Sequence, residues 1–121
     1  MNPSEALYSV GHTLLEQGRY EDAKHMFRAM MASCPDDERG WLGLGACHEG
    51  VQEDEIAARL YTLAAQATSS SVRTTVALAR VLRRLDRDDE ADAAYERAGE
   101  LVDAFEDPNL ADMIRAEGGR S

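Results

Sequence analysis

The sequence lacks the features on which disulfide-stabilised, zinc-bound and membrane proteins depend. Its two cysteines, Cys34 and Cys47, form no CxxC pair, so we expect neither a disulfide framework nor a structural zinc site, but two plain buried thiols. No apolar run approaches a membrane-spanning length, and the start of the chain is not a basic segment followed by an apolar one. We therefore expect a cytoplasmic protein that does not insert into a membrane.

Catalytic and metal-binding motifs are also missing. The three histidines, His12, His25 and His48, form no HExxH motif, and no GxxxxGK[ST] or GxGxxG loop occurs. The acidic clusters 36–38 and 88–90 are explained by solvated caps at helix starts. The sequence thus predicts no catalytic residue, no metal site and no cofactor, and an enzyme is not expected.

Positive charge is scarce. Thirteen basic side chains stand against 23 acidic ones, which gives a formal net charge of −10. Such a chain repels phosphate backbones and anionic lipid headgroups, so nucleic acid and membrane surfaces are not expected partners. The length of 121 residues allows one domain with a modest core and leaves no room for a second, catalytic domain.

What the sequence does contain is an internal repeat with a period of 34 residues. Small and large side chains each recur in their own columns. The columns are Ala23, Ala57 and Ala91; Phe27, Tyr61 and Tyr95; Met30, Ala64 and Ala98; Gly11, Gly45 and Ala79; Leu7, Trp41 and Thr75; and Val10, Leu44 and Leu78. Small residues on both helices of a hairpin let the backbones approach closely, and the aromatic side chain fills the space beside them. This is the tetratricopeptide pattern.

The pattern predicts an all-α fold of three tandem tetratricopeptide-type helical hairpins, a right-handed α-solenoid, in a single domain over residues 1–121. The predicted hairpins span about 4–37, 38–71 and 72–105. A capping helix over about 108–117 follows, because Asp107-Pro108 is typical of a helix start and Leu110, Met113 and Ile114 share one helical face. A strip that docks onto another subunit is the alternative interpretation of that face.

The first hairpin is the most complete copy. Its first helix is predicted to pack through Leu7, Val10, Gly11 and Leu14. Gly18 supplies the turn of the first hairpin. The second and third hairpins have Gln52 and Asp86 at this position and are therefore less complete copies of the repeat. The segment 69–71, three serines, is predicted to be a loop.

The side chains not used for packing are expected to line a concave groove formed by the first helix of each hairpin. This predicted groove consists of Glu5, Tyr8, His12, Leu15 and Glu16; Arg39, Leu42, Ala46 and Glu49; and Arg73, Val76, Arg80, Arg83 and Arg84. Its apolar and aromatic members suit an extended or helical segment with buried hydrophobic anchors. The arginines suit either the carboxylates of such a segment or the acidic stretch 86–92 of the neighbouring helix, and the sequence leaves both readings open.

Several segments resemble the class II type III secretion chaperones over about residues 7–102. They are Leu7-Tyr8-Ser9, Gly18 to Ala23, Phe27-Arg28-Ala29 and above all Leu42 to Cys47. The resemblance implies a chaperone that binds a segment of a hydrophobic translocator protein in its groove. It would keep the translocator soluble and unassembled in the bacterial cytoplasm before export, without catalysis. A needle-subunit chaperone of the same apparatus and a general tetratricopeptide scaffold are the alternatives.

The partner implied by the resemblance is a secreted translocator or another secretion-system subunit. Members of the family usually carry a longer N-terminal region that contributes to self-association, whereas three residues precede the first predicted hairpin here. A homodimer therefore stays an open alternative at this point.

Overall fold

The computed structural model describes residues 2–68, 72–104 and 108–119, and these residues are helical apart from short turns. The helices are α1 (Pro3–Glu16), α2 (Tyr20–Ser33), α3 (Glu38–Gly50), α4 (Asp54–Ala67), α5 (Val72–Arg84), α6 (Asp88–Ala104) and α7 (Pro108–Gly118). The predicted all-α class, its hairpins and the helix after the third hairpin are confirmed. The predicted serine loop at 69–71 and the predicted helix start at Asp107 lie outside the described residues.

The chain divides into two compact units, Met1–Ser69 and Ser70–Ser121. In unit 1, α1 and α2 form one hairpin and α3 and α4 another, with α2 packed against α3. Its core consists of Ala23, Phe27, Met30, Leu44 and Cys47. The alanine and aromatic columns deduced from the 34-residue period are therefore buried here as predicted.

The glycines of α3 allow two aromatic rings to lie directly on its backbone. A Cβ atom at Gly43 would lie 2.2 Å from Cε1 of Phe27, and one at Gly45 would lie 2.3 Å from Cε1 of Tyr61. Neither distance is sterically possible, so any larger residue would push α2 or α4 away. The run of glycines in α3 thus serves close packing and forms no phosphate-binding loop.

Unit 2 contains the hairpin of α5 and α6, with α7 packed against α6. Its core consists of Ala79, Tyr95, Ala98, Val102 and Ile114. On α7 the predicted apolar face is only partly correct, because Ile114 is buried whereas Leu110 and Met113 are exposed, Met113 by 69%.

The turn between the two helices of a hairpin keeps one backbone conformation in all three copies. Gly18 has a φ of 74°, and Gln52 and Asp86, its equivalents, have φ values of 63° and 59°. Residues other than glycine adopt this left-handed region at a cost of about 1 kcal/mol. The tight turn is therefore retained where the glycine is lost.

Val10 does not pack as predicted. It is 51% exposed, whereas its repeat equivalent Leu44 is 5% exposed. Leu44 is covered because α2 precedes α3 and packs against it, but no helix precedes α1 within the described residues. A repeat column therefore predicts burial only for hairpins with a neighbour on that side.

None of the helices in the described ranges combines the length and the apolar character that crossing a membrane requires.

We expect Gly43→Ala to destabilise the protein although alanine favours helices more than glycine does. The added methyl group cannot coexist with the Phe27 ring in its present position. Core overpacking of this kind costs about 2 kcal/mol, which exceeds the helix-propensity gain of about 1 kcal/mol. Urea unfolding measures the difference.

Gly119→Ala is the matched control, since its Cβ would meet nothing closer than 3.6 Å. Equal unfolding midpoints for the two variants would contradict the packing described for α3.

Candidate functional site

One face of α1 and the start of α3 bring three predicted groove residues into contact. The rings of Tyr8 and His12 are stacked with centroids 5.6 Å apart, because residues four apart on a helix are neighbours. The guanidinium carbon of Arg39 lies 4.7 Å from the centroid of the Tyr8 ring. We call Tyr8, His12 and Arg39 the aromatic ledge.

Two carboxylates hold Arg39 in this position. Its Nη2 donates to Oε1 of Glu5 at 2.7 Å and to Oδ2 of Asp37 at 2.8 Å, and its Nε donates to Oδ1 of Asp37 at 3.1 Å. Asp37 also caps α3 by accepting the backbone N–H of Arg39. These hydrogen bonds lower the pKa values of Glu5 and Asp37 below their ordinary range. The ledge is therefore fixed before any ligand arrives.

Of the remaining predicted groove residues of unit 1, Glu16 is exposed and its Oε1 lies 2.9 Å from Nε2 of His12, whereas the others lie half-buried along the same two helices. Leu15 packs against the core of unit 1, and Leu42 and Ala46 are half-buried on α3. Glu49 accepts a short hydrogen bond from the hydroxyl group of Tyr61. Glu49 is thus engaged by its own hairpin, and the side chains that present apolar surface are Tyr8, Leu15 and Leu42.

In unit 2 the arginines of α5 are paired within the chain. Arg83 contacts Asp88 at 3.2 Å and Asp92 at 2.6 Å, so the second of the two readings of the sequence is confirmed for this residue. Arg80 instead pairs with Glu117 of α7, its Nε lying 2.8 Å from Oε1. Arg73 is exposed and Val76 is half-buried against the core of unit 2.

Sequence reasoning missed the contribution of α7 to this surface. Glu117 and the carbonyl group of Gly118 both contact α5 arginines. The sequence shows that α5 has arginines and no acid and that α7 has Asp112 and Glu117, but this does not indicate which residues pair.

Among the histidines and cysteines, His48 and Cys47 occupy packing positions, whereas His12 and His25 are exposed. His48 is buried and its Nδ1 lies 3.2 Å from Oε1 of Glu53. Burial raises the pKa of Cys47 to about 11, as expected of an inert thiol. Cys34 is only half-buried and accepts a hydrogen bond from Ser4, so full burial was predicted correctly for Cys47 alone. Over the described residues, no three potential metal ligands cluster.

Comparison with known proteins gives matches to two models of the tetratricopeptide repeat, over residues 4–47 and 74–108. The low calcium response locus protein H of Yersinia pestis is 31% identical over 98 residues, which are 81% of this chain. The match spans 58% of the length of that protein.

Solved structures extend the similarity to most of the chain. PcrH, a protein of Pseudomonas aeruginosa, in complex with the chaperone binding region of PopB has a TM-score of 0.80 and 28% identity, covering 96% of this chain and 91% of that chain. The translocator chaperone SycD of Yersinia enterocolitica has a TM-score of 0.80 and 26% identity, covering 94% and 88%.

We expect Arg39→Gln to raise the pKa values of Glu5 and Asp37 toward their ordinary values of 4.5 and 3.8. Because the folded-state values lie below these, the pairing stabilises the fold fully above them and is lost as the pH falls through the lowered values. The stability difference between wild type and variant should therefore shrink from pH 6 toward about pH 2. NMR titration of the carboxyl carbons and urea unfolding at each pH measure both effects.

Arg59→Gln, which removes an exposed arginine of α4, is the control and should leave both carboxyl pKa values unchanged. If the two variants titrate alike, Arg39 does not hold the ledge.

Proposed function

Since the chain belongs to the tetratricopeptide-repeat family and is similar along most of its length to translocator chaperones, we propose that it binds a segment of a hydrophobic translocator protein. Binding keeps that translocator soluble and unassembled in the bacterial cytoplasm before type III export. The observation that carries this proposal is the likeness to PcrH, which was crystallised with the chaperone binding region of PopB.

The surface of unit 1 has the properties that such a task requires. Tyr8, Leu15 and Leu42 are each half-buried, so their positions are fixed by packing while part of each side chain remains accessible. Rigid, partly exposed aromatic and aliphatic side chains bind apolar anchors without a large loss of side-chain entropy. We infer that these three residues contact apolar residues of the bound segment.

The ion pairs around Arg39 support this role of Tyr8. The guanidinium group of Arg39, which two carboxylates hold in place, covers one side of the Tyr8 ring. The ring is therefore less free to rotate. We infer that Arg39 positions Tyr8 and that His12 extends the same flat surface.

Retention of a translocator needs no chemistry, because binding alone lowers the free concentration of an aggregation-prone segment by mass action. The net charge of −10 helps to keep the complex soluble. The partner is therefore a protein segment, and the function involves no cofactor.

The sequence leaves two other functions open, that of a needle-subunit chaperone and that of a general tetratricopeptide scaffold. The solved relatives named above are translocator chaperones, which favours this class over a needle-subunit chaperone and over a general scaffold. A SycD structure is described as an alternative dimer, and we propose self-association of this chain as a second property on that basis.

Leu42→Glu and Tyr8→Glu are expected to weaken binding of a translocator fragment by at least about tenfold, because each introduces a charge that must be desolvated against an apolar anchor. Co-expression with fragments of a candidate translocator, followed by isothermal titration calorimetry, measures the affinity.

Leu63→Glu is the matched control, since Leu63 is an exposed leucine of α4 outside the ledge. Normal circular dichroism with unchanged affinity for Tyr8→Glu and Leu42→Glu would rule out the α1 and α3 face as the binding surface. Absence of binding to any fragment by the wild-type chain would rule out the chaperone function itself.

A further inference from the structure

The end of α7 is held in unit 2 by a cluster of three side chains that all contact polar atoms of the last turn. Arg80 donates from Nε to Oε1 of Glu117 at 2.8 Å and from Nη2 to Oε2 at 3.3 Å. The hydroxyl group of Tyr95 donates to the same carboxylate at 3.1 Å, and Nη2 of Arg83 donates to the carbonyl oxygen of Gly118 at 2.8 Å. We call Arg80, Arg83 and Tyr95 the carboxylate cluster.

This geometry is that of a receptor for a carboxylate. A guanidinium that contacts both oxygens of one carboxyl group gives a directional, charge-assisted contact, and a phenol hydroxyl adds a third donor. Arg83 is in turn fixed by Asp88 and Asp92, and its guanidinium carbon lies 5.9 Å from the centroid of the Tyr95 ring. Arg83 is thus positioned by carboxylates of α6, independently of α7, whereas the ion pair of Arg80 is made with Glu117 itself.

The carboxylate that fills the cluster is weakly held. Arg80 is 58% exposed and Glu117 is 34% exposed, and ion pairs with this solvent access contribute little net stability. Among the α7 side chains that the structure describes, Ile114 alone is buried. Because both groups of the ion pair reach solvent, the Glu117 carboxylate can leave Arg80 without stranding a buried charge.

The contact of the last turn also depends on a glycine. A Cβ at Gly118 would lie 2.6 Å from the Cβ of Tyr95, so only glycine lets the carbonyl group of residue 118 reach Arg83 in this way. The docked position is specific rather than a loose surface contact.

We propose that the carboxylate cluster is a binding site for an acidic side chain of a bound polypeptide segment, and that Glu117 occupies the site until that side chain replaces it. The identity of the segment rests on the function proposed above, whereas the site itself does not. Glu117 stands in for the ligand carboxylate in the present structure.

The two carboxylates compete for the same donors, and replacing Glu117 exchanges one ion pair for another. Glu117 is tethered and so competes at an effective concentration in the millimolar range. A segment without an acid gains nothing from displacing Glu117, so the site discriminates between segments.

The test uses a probe that is unrelated to translocators. N-acetylglutamate and N-acetylglutamine, each with its α-carboxyl group blocked as a primary amide so that the two probes differ only in the side-chain carboxylate, are titrated separately into the full chain. The Nε–H signals of Arg80 and Arg83 are followed by NMR together with the amide signal of Gly119. The variants are Glu117→Gln, which weakens the resident contact, and Glu100→Gln, which removes an equal charge from an exposed position of α6.

N-acetylglutamate should bind Glu117→Gln at least about threefold more tightly than wild type or Glu100→Gln, because the resident competitor is weakened. N-acetylglutamine should shift neither arginine signal. Adding Arg80→Gln to the Glu117→Gln chain should abolish the response, with an unchanged amide spectrum elsewhere showing that the chain is folded.

Equal affinities for Glu117→Gln and Glu100→Gln, or equal responses to the two probes, would overturn the proposal. Gly118→Ala provides a second way to open the site with all three donors and Glu117 intact, and Gly119→Ala is its control. Should Gly118→Ala bind N-acetylglutamate no better than Gly119→Ala, the resident role of the last turn of α7 is refuted. None of these results depends on whether the chain binds a translocator.

Discussion

The contact between aromatic rings and the glycine backbone of α3 decides where the other helices of unit 1 lie. Phe27 of α2 and Tyr61 of α4 both lie where a side chain of α3 would otherwise be. Because both rings are buried, α3 is held between its neighbours at the shortest separation that the backbones allow. Such contacts have little freedom to adjust, so the helices cannot slide without losing core packing.

The proposed binding surface of unit 1 is a consequence of this packing. With the inner sides of α1 and α3 committed to the core, Glu5 and Tyr8 remain on the outer side of α1, within reach of Arg39 at the start of α3. Hydrogen bonds from Arg39 to Glu5 and Asp37 then orient the guanidinium over the aromatic ring. An apolar surface that is fixed in this way does not have to be ordered again on binding, which preserves affinity.

The fold was predictable from the sequence because the 34-residue period reflects packing between neighbouring hairpins. The columns of alanine and aromatic residues are buried wherever a neighbouring helix packs against them. The positive φ at Gln52 and Asp86 shows that the hairpin imposes the same turn on residues other than glycine. The same reasoning failed at Val10 and at Met113, since neither a repeat column nor a helical face indicates whether a neighbouring helix covers the side chain. Pairing of Arg80 with Glu117 was not predictable, because it depends on how α7 packs and no repeat column contains it.

The arginines of the predicted groove contribute little to long-range electrostatic attraction. Arg39, Arg80 and Arg83, on the predicted groove, each contact carboxylates of this chain, so much of their positive charge is neutralised locally. A protein with a net charge of −10 therefore does not attract an acidic segment from a distance. Recognition of a carboxylate then depends on contact geometry, in which the fork of a guanidinium and a neighbouring hydroxyl group distinguish an acid from an amide.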